Sequence, residues 1–177
     1  GFAGINVTFP YKEAVLDLLD ELSPRAALIG AVNTVVVRDN RLIGHNTDGE
    51  GFVQSILGAQ PGREAAFVKS LKGTDVLLLG AGGAARAVAF HVSDQIESGK
   101  LVISNRTLNP AVSLAAELRK MGRNAIAIGE VEASDWAPKV GLIINSTTKG
   151  QGGVRKLSHD EVTILEPFSS LAPAPAP

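Results

Sequence analysis

Hydrophobic positions follow two rhythms along this chain. From about residue 75, short continuous apolar runs alternate with longer stretches whose apolar residues recur every three or four positions. Read in order, they predict a strand at 75–79, a helix at 83–96, a strand at 101–105, a helix at 110–121, and strands at 124–128 and 140–145. Alternation of this kind predicts a parallel sheet covered by helices. Before residue 58 the rhythm is mixed. Ile5-Asn6-Val7-Thr8 reads as a strand end, Pro10 as a first helical position, and 11–22 as a helix with Ala14, Val15, Leu18, Leu19 and Leu22 on its apolar face. A short helix is expected at 24–29. Strands at 31–37 and 42–46 flank the turn-type segment Arg38-Asp39-Asn40-Arg41, which predicts a β-hairpin, and a helix opens at Asp48.

The Gly/Pro-containing break at 58–63 divides these patterns. Three segments are therefore expected: 1–60 as one α/β domain, 61–168 as a Rossmann-like domain with a parallel sheet, and 169–177 as a Pro/Ala-rich tail. Beyond Thr148 the pattern decays, and A-P-A-P-A-P at the end is low in complexity.

Composition narrows the classes. Of 177 residues, 45% are hydrophobic and 20% charged, ordinary for a globular protein with a core. Lys and Arg number 17 against 18 Asp and Glu, with no basic stripe, so nucleic acid is not an implied partner. No apolar run reaches the ~18 residues needed to span a bilayer and no leader opens the chain, so a soluble protein without a membrane partner is expected. The lack of cysteine excludes disulfides and thiolate chemistry and fits a cytoplasmic location. His45, His91 and His159 have no metal-ligand spacing, and no metal is expected. A chain that opens on Gly1, with Met121 its only methionine, is expected to lack its natural N-terminus.

The densest chemistry lies in V-L-L-L-G-A-G-G-A-A-R, residues 76–86. An apolar strand runs into Gly80, which permits a tight turn, and Gly82, which lets backbone approach a pyrophosphate. Gly80-x-Gly82-x-x-Ala85 has the dinucleotide fingerprint spacing, and the apolar helix after it (Ala84, Ala87, Val88, Val92, Ile96) offers free N–H groups to phosphate. The alternative is a purely structural strand-turn-helix. At the end of the second strand, where an acidic residue would bind the ribose 2′-hydroxyl of NAD, stand Asn105 and Arg106. An Arg fork suits the 2′-phosphate of NADP; the alternative is an exposed surface Arg.

In the first half, Lys12 falls in the first turn of the predicted helix, where the macrodipole disfavours a cation. It reads either as functional or as a solvated surface lysine. Asp48 reads either as functional or as a helix N-cap. Spacing alone brings neither Lys12 and Asp48 together nor Asn33 beside them.

Six motifs then occur in order: Gly4-x-Asn6-Val7-Thr8-x-Pro10-x-Lys12, Gly30-Ala31-x-Asn33-Thr34, Gly44-x-Asn46-Thr47-Asp48-x-x-Gly51, Gly80-Ala81-Gly82-Gly83-Ala84-x-Arg86-Ala87, Asn105-Arg106-Thr107 and Ile144-Asn145-x-Thr147. Together they resemble the shikimate dehydrogenases and their quinate/shikimate relatives over roughly residues 1–148. The resemblance implies NADP-dependent interconversion of 3-dehydroshikimate and shikimate, in a cleft between a substrate domain and a Rossmann-like domain, by a monomer or homodimer. It implies Lys12 and Asp48 as the catalytic pair and substrate ligands, Thr8 and Asn33 as further substrate-hydroxyl binders, and Gly80, Ala81, Gly82, Gly83, Ala84, Asn105, Arg106, Thr107 and Thr147 as cofactor contacts. The family's opening strand with its serine loop and its closing tyrosine- and glutamine-bearing region have no counterpart here. Pro110 stands where NADP-specific members often carry a second basic residue. Two alternatives stay open: a quinate/shikimate dehydrogenase of broader substrate or NAD use, and a non-catalytic nucleotide-binding protein of the same fold.

Overall fold

In the computed structural model, residues 1–58, 62 and 65–149 are described; the expected break at 58–63 lies in part outside them, and the segment 150–168 and the tail wholly so. Among the described residues, eight strands form two four-stranded sheets, accompanied by five α-helices. The chain divides into two units: Gly1–Lys72 with Gly83–Glu97, and Gly73–Gly82 with the chain from Ser98.

The first sheet has the order β1-β3-β4-β2. Strand β1 (Gly4–Asn6) lies antiparallel to β3 (Thr34–Arg38), which pairs antiparallel with β4 (Arg41–His45). Only Asp39 and Asn40 separate β3 from β4, with φ of 51° and 60°. Two consecutive left-handed residues make a type I′ turn, and Asp and Asn tolerate that region best after glycine. The expected hairpin is thus present, its first strand starting three residues later than the apolar run suggests.

The helix expected at 11–22 does not form. Phe9–Pro10 is a cis peptide, residues 9–13 make turns, and a five-residue 3₁₀ helix, Ala14–Leu18, is all that follows. Leu19 is extended, and β2 (Glu21–Leu22) pairs parallel with β4. The backbone of Asp20 donates to Leu42 O (3.0 Å) and its carboxylate accepts from Leu42 N (2.7 Å), while Ser23 N donates to Gly44 O (2.9 Å). Sheet-edge pairing satisfies these groups where a helix would have used its own backbone. The helical spacing of Val15, Leu19 and Leu22 still has a use, because all three pack on the Ala26–Val32–Val35 core.

Helix α1 (Pro24–Ile29) has its expected bounds: Ser23 caps it by accepting from Ala26 N (3.2 Å), Pro24 is its first residue, and left-handed Gly30 ends it. Helix α2 (Asp48–Leu57) also follows expectation and packs on α3 (Gly83–Gln95). The contact needs Gly49, since a Cβ there would stand 2.1 Å from Ala87 O and 2.3 Å from His91 Nδ1. Arg86 ties α3 to the end of α1, its Nε donating to Ile29 O (3.0 Å) and its Nη2 to Leu28 O (3.2 Å). Arg25 of α1 adds an ion pair to Asp94 of α3 at 2.7 Å.

The second sheet is all parallel, in the order β7-β6-β5-β8. Its strands are β5 (Val76–Leu79), β6 (Leu101–Asn105), β7 (Ala125–Gly129) and β8 (Leu142–Asn145). Every residue of β5 is buried, as are the first four of β6, which fits the unbroken apolar runs of strands covered on both faces. Leu77, Leu79, Val102 and Ile128 pack with Ala133 and Ala137, from α5 (Ala133–Trp136) and the 3₁₀ turn after it. Helix α4 (Leu108–Lys120) packs on β6 and β7. It begins two residues before the expected Pro110, which sits in the first turn where no backbone N–H is required. The short helical segments between β7 and β8 carry no clear period and went unread in the sequence.

Candidate catalytic cluster and cofactor cleft

In the first unit the chain brings Lys12, Asn33, Thr47 and Asp48 together. Lys12 Nζ lies 2.7 Å from Asp48 Oδ2, and both side chains are about 30% exposed, at 29% and 31%. Asn33 Nδ2 donates to the other carboxylate oxygen, Asp48 Oδ1, at 2.8 Å and to Thr47 Oγ1 at 3.0 Å. Its Oδ1 accepts from Thr47 N at 3.0 Å. Lys12 and Asn33 are fixed by backbone: Val32 N donates to Lys12 O (2.8 Å), Asn33 N to His45 O (3.0 Å) and Val7 N to Asn33 O (2.8 Å).

Two local readings of these residues change. Lys12 is in a turn ahead of a 3₁₀ helix, so no helix macrodipole bears on it; its neighbour is a carboxylate. Asp48 is the first residue of α2 rather than its N-cap, which is Thr47, and its carboxylate makes no capping bond. The Asp48 N–H goes instead to Asn46 Oδ1 (3.2 Å), and buried Asn46 also donates to Ala31 O (3.0 Å). With Asn46 serving the backbone, both Asp48 oxygens are free for Lys12 and Asn33. Thr8 is exposed, its carbonyl accepting from Tyr11 N (2.9 Å), and its hydroxyl stays outside this network. Thr47 stands in the motif around Asp48 but was not among the expected site residues.

In the second unit a cleft of about 320 Å³ opens across the carboxyl ends of the strands, where parallel α/β sheets hold ligands. Leu79–Gly82 at the end of β5, Ser104–Arg106 at the end of β6, Glu130 and Ala133 after β7, and Ser146–Lys149 after β8 line it. Gly80 has φ +107°, and a Cβ there would meet Ser146 O at 3.0 Å, so the turn itself requires glycine. Gly82 differs: a Cβ on it would meet nothing within 4 Å. No protein atom demands glycine there, which fits a backbone kept bare for a ligand. Gly83 and Ala84 open α3 and belong to the first unit.

Asn105 turns its amide back onto Thr107 O (2.7 Å), stiffening the loop that carries Arg106. Arg106 is exposed, and among the described residues nothing pairs with its guanidinium. Thr147 donates to Asn145 Oδ1 from both its N (2.9 Å) and its Oγ1 (2.7 Å). Lys149 reaches Glu130 in an ion pair. Ser104, Glu130, Ser146 and Lys149 were not foreseen as cleft residues; nothing in the sequence links positions on neighbouring loops.

A parallel sheet with a glycine turn and a cleft along its carboxyl edge, preceded by a mixed-sheet unit, defines an α/β protein of the Rossmann-like class. Family profiles described as "Shikimate dehydrogenase substrate binding domain" and "Shikimate / quinate 5-dehydrogenase" match residues 1–35 and 64–163. A curated NADP(+) shikimate dehydrogenase of Bacillus cereus strain B4264 is 41% identical over 150 residues, 85% of this chain and 51% of that protein. The crystal structure of a Thermus thermophilus shikimate 5-dehydrogenase with NADP(H) and shikimate is 39% identical, with TM-score 0.67, over 85% of this chain and 50% of that one. Quinate dehydrogenase from Corynebacterium glutamicum, solved with NAD, is 33% identical with the same TM-score of 0.67, over 85% and 51%. The chain belongs to the shikimate/quinate dehydrogenase family. It spans about half the length of the curated relatives it matches.

Proposed function

We propose that this chain carries the chemistry of an NADP-dependent oxidoreductase that interconverts 3-dehydroshikimate and shikimate. The observation that carries the reading is the Lys12–Asp48 pair, held by Asn33 with both carboxylate oxygens engaged. The cleft residues would hold NADPH, which would supply the hydride for the ring carbonyl carbon; the protein's own part is the proton that the carbonyl oxygen gains. Lys12 and Asp48 share a hydrogen bond at 2.7 Å, so a hydroxyl docked against the pair can exchange a proton with it in either direction. Asn33 keeps Asp48 from rotating away; on this reading a ring hydroxyl takes the place of its Thr47 partner, and Thr8 offers a second neutral polar group.

For the cofactor, the bare backbone at Gly82 suits a pyrophosphate, and Arg106, whose guanidinium pairs with nothing among the described residues, suits a 2′-phosphate. On this reading Gly80, Ala81, Gly82, Gly83 and Ala84 are the phosphate-side contacts, Asn105, Arg106 and Thr107 the adenosine-side contacts, and Thr147 a contact from the loop after β8. Functionally, residues 1–60 serve substrate and 61–168 serve NADP, in a cytoplasmic monomer or homodimer. The relatives solved with NADP(H) and shikimate, and with NAD, support the ligand class and set the comparison to make.

The test is binding and turnover together. Calorimetric titration with NADP, NAD, shikimate and quinate, followed by reduced-nicotinamide absorbance, should favour NADP with shikimate. Lys12→Ala and Asp48→Asn should each lower kcat by about 100-fold or more, the usual worth of a positioned acid–base group, with NADP affinity unchanged. Equal turnover of quinate with NAD would point to the broader relative, and dinucleotide binding without turnover of either acid would leave a binding protein.

A further inference from the structure

Strands β7 and β8 are the two outer strands of the parallel sheet, with β5 and β6 between them. At ordinary strand spacing their axes stand about 14 Å apart. Yet Glu130, one residue past β7, and Lys149, four residues past β8, meet in an ion pair. The pair therefore runs along the carboxyl edge of the sheet, and both residues line the cleft there. Among the described lining residues, Arg106 and Lys149 are the cations and Glu130 the anion.

The two ends are anchored by backbone, not by the pair itself. Lys149 N donates to Thr147 Oγ1 (3.2 Å) and Lys149 O accepts from Asn145 Nδ2 (3.1 Å), closing a self-bonded loop. On the other side, Gly129 N donates to Glu132 Oε2 (2.8 Å) ahead of Glu130. The side chains of Lys149 and Glu130 are 42% and 44% exposed. Water screens a pair this open, so its loss costs the fold little. A lysine ammonium on a flexible stem, next to an exchangeable carboxylate, can change partners without any movement of backbone.

We propose that Lys149 is a second anion-binding residue of the cleft, paired with Glu130 and handed to a dinucleotide phosphate when the cleft fills. The inference rests on the dinucleotide reading of the cleft and adds to it a residue that the glycine turn and Arg106 do not supply. A doubly charged phosphate offers Lys149 a stronger acceptor than a solvated carboxylate does. Glu130 has a second effect: its charge opposes any anion that fails to draw Lys149 away.

The experiment compares NADP and NAD affinities, by calorimetry at two salt concentrations, for the chain and for Lys149→Ala, Glu130→Gln and Arg106→Ala. Circular dichroism confirms that each variant is folded. Lys149→Ala should bind NADP about tenfold more weakly, the worth of one charge-assisted hydrogen bond, and with a shallower salt dependence. Glu130→Gln should bind as tightly as the parent chain or more tightly, because it removes only the competitor. A loss confined to NADP identifies the 2′-phosphate as the group Lys149 takes; an equal loss with NAD identifies the pyrophosphate. Unchanged affinity in Lys149→Ala overturns the inference, as does an equal weakening in both Lys149→Ala and Glu130→Gln, which would make the bridge itself the requirement. If the parent chain binds neither dinucleotide, the reading of the cleft fails. If it binds NADP and only Arg106→Ala weakens it, that reading stands and the role of Lys149 falls.

Discussion

Two glycines two positions apart in the same turn have opposite reasons to be glycine. Gly80 has a left-handed backbone and would drive a Cβ against Ser146 O, so Gly80→Ala should destabilise the fold by about 1–3 kcal/mol in chemical denaturation. Gly82 has open space where its Cβ would go, so Gly82→Ala should leave the denaturation midpoint nearly unmoved while dinucleotide affinity falls. A stability loss in both variants, with affinity kept, would return the turn to a purely structural role. Asn33 offers the parallel case in the first unit. Its side chain spends donors on Asp48 and Thr47 and its acceptor on Thr47 N, all at a surface of intermediate exposure. Asn33→Ala should therefore cost little stability, since water can take over those groups, yet lower kcat through an Asp48 no longer held toward Lys12. Steady-state kinetics beside a thermal melt separates the two effects.

At the level of elements, packing decides what pattern alone leaves open. The glycine at position 49 had no reading as a helix residue, where it costs up to about 1 kcal/mol relative to alanine; its purpose is the approach of α3. Gly49→Ala would set a methyl 2.1 Å from Ala87 O and should lower stability by about 1–3 kcal/mol, as overpacking does, instead of the gain expected for Gly→Ala in a free helix. A rise in melting temperature would deny that contact. The same distinction explains which elements were legible. Strands β5 and β6, helices α1 and α2 and the β3–β4 hairpin carry local signals that agree with their surroundings: buried apolar runs, Ser-Pro and Gly caps, Asp-Asn at a two-residue turn. The helix expected at 11–22 failed because a remote strand, β4, offered residues 20–23 better hydrogen-bond partners. The candidate residues were legible from motif, and their pairing from the family resemblance but not from spacing: Lys12 and Asp48 are 36 positions apart, and nothing local shows that Asn46 relieves Asp48 of the capping duty.

The chain's division into units does not follow its order. It leaves the first unit after Lys72, returns at Gly83 for α3, and leaves again after Glu97. The first unit is thus completed by a helix encoded after the first strand of the second. Three features bind α3 there: the Gly49 contact, the Arg86 bonds to the last carbonyls of α1, and the Arg25–Asp94 pair. Helix carbonyls at a C-terminus lack internal partners, so Arg86 satisfies groups that α1 cannot satisfy itself. A fragment ending at Lys72 would leave those carbonyls and the face of α2 around Gly49 and Val53 without α3. Such a fragment should show no cooperative thermal transition and a poorly dispersed amide spectrum, whereas one ending at Glu97 retains the contacts of the first unit and should recover part of both. Arg86→Met in the whole chain should give a milder version, a loss of about 1–3 kcal/mol from the abandoned carbonyls. If the Lys72 fragment instead melts cooperatively, α3 is an accessory to the first unit, and the Lys12–Asp48 cluster would be expected to assemble before the glycine turn has been reached.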